Sequence, residues 1–132
     1  MKVVADASLL VAALVDSGRD GRWAESRVAS DTLAGPELAL AEVSNSLRRM
    51  ELTGQITSID AARAQRDLLR LPLELFPFGP FADRVWALRS TLTSYDAWYV
   101  ALAEALGCPL LTLDRRLARA TGPACQVITP PA

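Results

Sequence analysis

The sequence predicts an α/β domain in which helices cover both faces of a central parallel sheet. Short apolar segments such as Val3–Ala5 and Leu110–Leu113 have the length and continuity of buried parallel strands. The segments between them are longer, and several have helical spacing or helix-capping residues. With 132 residues, of which 51% are hydrophobic and 22% charged, the chain is long enough for one core. We therefore expect a single domain over residues 1–132.

The first part of the chain is predicted to form two strands and two helices. In order, these are a strand at 3–5, helices at 7–15 and 22–30, and a strand at 32–34. The Gly- and Asp-rich residues 16–21 predict a loop between the two helices. Gly35 and Pro36 are expected to end the second strand.

The rest of the chain continues the alternation of helices and strands. Residues 37–52 form a helix with one apolar face, and Gly54 ends it. Ser58 is predicted to cap a helix that ends near Leu71, and Ser94 is predicted to cap another at 95–106. The remaining predicted elements are a strand at 73–76, a helix at 81–92, a strand at 110–113, a helical turn at 115–120 and a strand at 126–129.

The composition excludes several classes of enzyme and metal site. The chain has no histidine, which excludes Ser-His-Asp and Cys-His catalysis and histidine-containing zinc sites. The formal net charge is −1, so contact with nucleic acid has to rely on local patches or on bound metal. Every basic side chain except Lys2 is arginine, the better bidentate ligand for phosphate.

The two cysteines and the N-terminal segment bear on the cellular compartment. Cys108 and Cys125 are too few for a zinc cluster, and we interpret them as reduced, small core residues, although the pair could form a disulfide. The apolar residues 7–15 faintly resemble a secretory signal, but Asp6 interrupts the apolar sequence and no cleavage site follows. The segment is also far shorter than the ~20 residues of a membrane span. We expect a cytoplasmic protein.

Two aspartates follow predicted strands and open predicted helices. Asp6 ends the first strand, and Asp114 ends the strand that begins at Leu110. In an open parallel sheet, the carboxyl ends of all strands lie at one edge, where ligands bind. Each aspartate also has an ordinary structural interpretation as a helix N-cap, and the sequence leaves that alternative open.

Two further acids lie on predicted helices. Asp96 lies in the first turn of a helix that is apolar all round, so it is expected near a buried helix end and needs a partner there. Glu42 shares one side of its helix with Asn45 and Arg49, which is also the pattern of an ordinary solvated stripe.

Together, the four acids predict a site for a hard metal ion. Converging carboxylates without Lys or His between them repel one another and are tolerated if they hold a cation. Oxygen ligands alone favour magnesium or manganese. The matching chemistry is phosphodiester hydrolysis. The chain lacks a Gly-rich nucleotide loop, and its only lysine, Lys2, lies too early for an aspartyl-phosphate enzyme or a receiver domain.

Four segments of the chain carry recognisable motifs, which are VVADAS at 3–8, AEVSNSL at 41–47, YDAWYVALAE at 95–104 and LTLDRRL at 111–117. Together they resemble the PIN-domain ribonucleases, and most of all the VapC-type toxins of bacterial toxin–antitoxin pairs. Separately each motif is weak, but the four occur in family order and span residues 3–117.

This resemblance implies a fold, an activity and partners. The implied fold has three layers, α/β/α, with strand order 3-2-1-4-5. The implied activity is a magnesium- or manganese-dependent endoribonuclease acting on cellular RNA. An antitoxin that blocks the site, and commonly a homodimer, are also implied. The implied metal-binding and catalytic residues are Asp6, Glu42, Asp96 and Asp114, supported by hydrogen bonds from Ser8, Asn45 and Thr112.

The residues after Asp114 depart from the family pattern. Many relatives carry a further acid there, whereas this chain has Arg115 and Arg116, which argues against a fully occupied second metal site. Arg115, Arg116 and Arg119 are candidates for binding RNA phosphates, with a solvated basic turn as the alternative. Two other functions stay open at this point: a non-catalytic PIN-like module that binds a partner, and a metal-dependent DNase.

Overall fold

The computed structural model describes residues 1–132 and consists of five β-strands and seven α-helices. The strands are β1 (Lys2–Ala5), β2 (Thr32–Pro36), β3 (Leu73–Phe76), β4 (Leu110–Leu111) and β5 (Val127–Ile128). The helices are α1 (Ala7–Val15), α2 (Arg19–Ser30), α3 (Ala39–Leu52), α4 (Ser58–Leu68), α5 (Ala82–Ala87), α6 (Ser94–Leu106) and α7 (Arg115–Arg119). No helix is both long enough and apolar enough to cross a membrane.

The five strands form one sheet in the order β3-β2-β1-β4-β5, and every neighbouring pair is parallel. The predicted fold class and strand order are therefore confirmed. β1 lies at the centre, where Val4 is in register with Ala34 of β2 and with Leu110 of β4. Because both neighbours of β1 run in the same direction as β1, their carboxyl ends meet at one edge.

Side chains alternate between the two faces of the sheet and form two separate apolar clusters. Val4 and Leu110 point to the cluster that contains α5, α6 and α7. Val3, Ala5 and Leu111 point to the opposite cluster, built from α1, α2, α3 and α4. This is the expected three-layer arrangement, and it explains why strands β1 and β4 are apolar on both faces.

Helix α2 begins three residues earlier than predicted, because the expected loop at 16–21 is partly helical. The backbone N–H of Gly18 donates to Asp16 Oδ1 at 2.7 Å, which completes the turn before the helix. Gly21 lies inside the helix, where a Cβ would overlap the Asp16 carbonyl oxygen. Glycine is required here for close approach of two backbone segments.

Several other predicted boundaries differ from those in the structure. Thr57 and Thr93, not Ser58 and Ser94, are the N-caps of α4 and α6, since their hydroxyls accept from the N–H groups three residues later. The predicted helix at 81–92 ends as an α-helix at Ala87. Strands β4 and β5 are two residues long, shorter than predicted.

The C-terminal segment is held against α5 and α6 by one ion pair. Arg84 donates to both carboxylate oxygens of Glu104, at 2.7 and 3.0 Å, and also to the carbonyl oxygen of Gly122. Glu104 accepts a further bond from the N–H of Ala124 at 2.7 Å. These bonds lower the pKa of the Glu104 carboxyl and fix the approach of the chain to β5.

Candidate active site

Four predicted acids lie together at the carboxyl edge of the sheet. Asp6 directly follows β1, Asp114 follows the neighbouring β4, and Glu42 and Asp96 lie in the first turns of α3 and α6. Burial raises the pKa of both Glu42 and Asp96, and the charge of Asp6 raises the pKa of each further. The charge of Asp114 also raises the pKa of Asp96. We call these four residues the acidic edge.

Asp6 is the most buried member of the acidic edge, with 8% of its surface exposed. Its Oδ2 accepts two short hydrogen bonds, from Ser8 Oγ and from Thr112 Oγ1, each at 2.7 Å. Asp6 occupies the N-cap position of α1, but its side chain does not accept a capping bond. The N-cap alternative therefore does not explain this aspartate.

Ser8 and Thr112 join the ends of the two central strands. Thr112 is fully buried, and its Oγ1 accepts from the N–H of Asp114 at 3.0 Å while donating to Asp6. Ser8 Oγ accepts from the N–H of Leu113 at 3.1 Å. The two hydroxyls thus link the carboxylate after β1 to the backbone that carries Asp114.

Glu42 is not part of a solvated stripe. It is half-buried, and its Oε1 accepts a hydrogen bond from the hydroxyl of Tyr99 at 2.8 Å. Burial and the nearby Glu42 raise the pKa of Tyr99 far above its usual range, so the hydroxyl keeps its proton and remains a donor. Asn45, one turn further along the same helix, is exposed and takes no part in these bonds.

Tyr99 is a residue of the site that the sequence analysis missed. In the sequence Tyr99 belongs to the apolar helix, and in the structure only 1% of its surface is exposed. A buried tyrosine hydroxyl usually needs a hydrogen-bond partner. That requirement was the available signal, but the sequence did not indicate that Glu42, 57 residues away, supplies the acceptor.

Asp114 is the N-cap of α7, so the N-cap interpretation of this residue is confirmed. The N–H of Arg116 donates to Asp114 Oδ1 at 2.9 Å, and Arg116 Nε lies 3.4 Å from the same oxygen. Burial opposes ionisation of this carboxyl, but the hydrogen bonds and charge of Arg116 outweigh it and lower the pKa of Asp114. A cavity of about 320 Å³ beside Asp114 and Asp96 has Thr91, Thr93 and Arg116 in its lining.

The three arginines after Asp114 differ in their contacts. Arg115 donates to Thr129 Oγ1 and to the carbonyl oxygen of Pro130, so it holds the C-terminal segment. Arg116 contacts Asp114, but 87% of its side chain is exposed. Arg119 is exposed at the end of α7. Arg116 and Arg119 are therefore the two arginines after Asp114 that do not bind the C-terminal segment.

The acidic edge is not a ready-made metal cage. No three acidic or cysteine side chains are close enough together to hold an ion as a group. Three of the four carboxylates are held by their own partners: Asp6 by two hydroxyls, Glu42 by Tyr99 and Asp114 by Arg116. Burial, and after it the charges of Asp6 and Asp114, raise the pKa of Asp96, and the repulsion among these charges favours the separation of the acids.

Comparison with known proteins identifies the family. The sequence profile of the PIN domain matches residues 3–123. The chain belongs to the PIN-domain family. Two VapC-type PIN relatives from Mycobacterium tuberculosis (strain ATCC 25618 / H37Rv) match nearly end to end. Ribonuclease VapC9 is 36% identical over 129 residues and covers 98% of each chain. Ribonuclease VapC1 is 39% identical over 126 residues and covers 94% of each.

A solved structure also has this PIN-domain fold. The crystal structure of VapBC-5, a member of the VapBC family of toxin-antitoxin systems from Mycobacterium tuberculosis, contains a chain that is 26% identical to this one. The two superpose with a TM-score of 0.60 over 99% of this chain and 98% of that chain. The VapC-type membership expected from the four motifs is therefore confirmed.

Replacing Asp6 by asparagine tests whether Asp6 strains the metal-free protein. Asn keeps an oxygen that can accept from Ser8 and Thr112, but it removes a charge that repels Glu42 and Asp96. We expect the free energy of unfolding in EDTA, from urea denaturation, to stay unchanged or rise by on the order of 1 kcal/mol. Asp83→Asn, at an exposed acid of α5, is the control. A loss of several kcal/mol in Asp6→Asn would mean that Asp6 mainly holds the fold together.

Removing the Tyr99 hydroxyl tests its hold on Glu42. The hydrogen bond favours the charged form of Glu42, so Tyr99→Phe should raise the pKa of this carboxyl further above its usual value. Carbon-13 NMR of the side-chain carboxyls, followed through a pH titration, measures the change. Tyr95→Phe removes a hydroxyl from an exposed tyrosine and should leave the pKa of Glu42 unchanged. If the titration of Glu42 is the same in Tyr99→Phe and Tyr95→Phe, the Tyr99 hydroxyl does not control the pKa of Glu42.

Proposed function

We propose that this VapC-type PIN domain is a metal-dependent endoribonuclease, the toxin of a toxin–antitoxin pair. The observation that carries the proposal is the acidic edge, in which four carboxylates lie at the ends of neighbouring elements. The pKa values of Glu42 and Asp96 are raised, first by burial and then by the charges of other members of the edge. The relatives named ribonucleases, which match this chain over nearly its whole length, support the substrate class.

The side chains present fit a magnesium or manganese ion. Every candidate ligand is an oxygen, as these hard ions prefer, and no nitrogen or sulfur donor lies among them. Asp6, Asp96 and Asp114 are proposed to hold the ion directly or through water, and Glu42 to hold it or to orient the attacking water. When bound, a divalent cation lowers the pKa of water and stabilises charge on a scissile phosphate.

Hydrogen bonds orient Asp6 and Glu42 for their proposed parts. Ser8 and Thr112 fix one oxygen of Asp6, and Oδ1 accepts no bond from the protein. Tyr99 fixes one oxygen of Glu42 in the same way. Such partners orient ligands and typically change metal affinity or activity about 10–100-fold when removed. Asn45 is exposed in this structure, and its proposed supporting part stays a prediction.

Arg116 and Arg119 are proposed to bind phosphates of the RNA that flank the cut. Arg116 is mostly exposed and borders the cavity next to Asp96 and Asp114. Guanidinium groups bind phosphate in a bidentate manner. Arg115 is a weaker candidate than the sequence suggested, because its guanidinium already holds Thr129 and Pro130. The binding of RNA phosphate by Arg115 stays a prediction.

Cleavage assays with purified protein test the proposed function. Wild type with magnesium should cut structured RNA but not DNA, and EDTA should abolish the cutting. Asp96→Asn should lose at least about 100-fold in rate because it removes a proposed metal ligand, while Asp83→Asn should keep full activity. Mapping of RNA 5′ ends identifies the cut. Cleavage of DNA instead would favour the nuclease alternative, and an inactive wild type would favour a partner-binding module.

An antitoxin is the proposed protein partner, and one groove of the surface suits it. This groove of about 720 Å³ lies between α1 and α3, and Val11, Val15, Met50, Ile56, Ser8 and Leu113 are among its lining residues. Because Ser8 binds Asp6, a peptide seated in this groove would reach the acidic edge. Blocking of the site by the antitoxin would follow directly from that position. The homodimer stays a prediction of the family resemblance.

A charge placed in this groove tests where the antitoxin binds. Met50→Asp should weaken binding of the cognate antitoxin by at least about 10-fold, because it buries a charge in an apolar contact. The same variant should cleave RNA normally, since Met50 lies outside the acidic edge. Leu69→Asp, at an exposed apolar residue just after α4, is the control. Unchanged affinity in Met50→Asp, measured by calorimetry, would place the antitoxin elsewhere.

A further inference from the structure

The two cysteines of the chain lie at matching positions before two paired strands. Leu110 of β4 is in register with Val127 of β5, and each cysteine comes two residues before its strand partner. The backbone N–H of Leu110 donates to the carbonyl oxygen of Gln126 at 2.9 Å, so the two segments stay paired next to Cys125. Counting back along this register places Cys108 opposite Cys125.

Both cysteine side chains also point to the same face of the sheet. Cys108 and Cys125 pack against the apolar cluster that contains Leu110, on the α6 side, and Val127 packs there too. The two thiols line one cavity of about 300 Å³. Matching positions on neighbouring strands lie about 5 Å apart, and disulfides form between Cα atoms about 4.4–6.8 Å apart.

We propose that Cys108 and Cys125 form a dithiol site that two-electron oxidants convert into an intramolecular disulfide. With a hydroperoxide, the thiolate of one cysteine attacks the peroxide oxygen and becomes a sulfenic acid, and the second thiol displaces water from it. Both S–H bonds break, one S–S bond forms, and hydrogen peroxide is reduced to two molecules of water. In this structure both cysteines are free thiols. The proposal stands independently of the ribonuclease activity.

The surroundings of the thiols affect how fast they react. Burial raises the pKa of both thiols, and the carboxylate of Glu104 raises that of Cys125 further. Lys2 and Arg84 act in the opposite direction, on Cys108 and Cys125 respectively, but do not outweigh burial. Because the thiolate is the reactive form, the dithiol should oxidise slowly at neutral pH and faster as the pH rises.

The disulfide would close a segment that includes part of the acidic edge. Residues 108–125 contain β4, Thr112, Asp114 and α7. β4 and β5 are each two residues long, so few backbone bonds hold this edge of the sheet. A crosslink stabilises mainly by restricting the unfolded chain. Closing this loop should raise the melting temperature by on the order of 10 °C.

Oxidation of the reduced wild-type chain tests the proposal. The protein is treated with hydrogen peroxide at mildly alkaline pH, then denatured in the presence of iodoacetamide, and its intact mass is measured. We expect a monomer that is lighter by two hydrogen atoms and carries no alkyl group. Since the chain has two cysteines, this product identifies the Cys108–Cys125 bond. Its melting temperature should rise and return to that of the reduced protein with dithiothreitol.

Single substitutions provide the matched controls. Cys108→Ser and Cys125→Ser cannot form the bond, so peroxide should leave their melting temperatures unchanged and should add oxygen to the remaining thiol or link two chains. The proposal is overturned if the wild type also gives only oxygen adducts or linked dimers. It is equally overturned if the single variants gain the same thermal stability as the wild type.

Discussion

The acidic edge depends on the two hydrogen bonds that Asp6 Oδ2 accepts from Ser8 and Thr112. These bonds join the carboxyl end of β1 to the segment after β4, and the same hydroxyls accept from the backbone of residues 113 and 114. A carboxylate this buried needs hydrogen-bond donors from the protein in place of water. Without them, the central strand would end in an unpaired buried charge, and Asp114 would lose the contact that sets its position.

The remaining acids are placed by elements that the core holds rigidly. Glu42 is held by Tyr99, whose ring is buried in the α6 layer, so the contact joins helices from opposite faces of the sheet. Asp96 begins the same helix α6 and carries a raised pKa because it is buried near two other acids. The fold therefore holds these carboxylates closer together than they would lie in the unfolded chain. Perturbed pKa values of this kind cluster at functional sites.

The sequence predicted the sheet and the position of Asp6 and Asp114 after strands, but it missed contacts between distant segments. The apolar strands before Asp6 and Asp114 could be predicted because the local pattern of apolar residues indicates where a buried strand ends. The strand order came from the resemblance of the motifs to the family. The start of α2 was wrong, since the role of Gly21 depends on close packing against Asp16. Tyr99 was missed for the same reason, because its partner is remote in the sequence.

Thermal unfolding with increasing magnesium tests the proposed cation site at the acidic edge most directly. An ion that binds only the folded state raises the melting temperature as its concentration rises. We expect the melting temperature to rise by several degrees for the wild type and by much less for Asp96→Asn. An equal rise in both proteins, or none in the wild type, would contradict the proposed cation site.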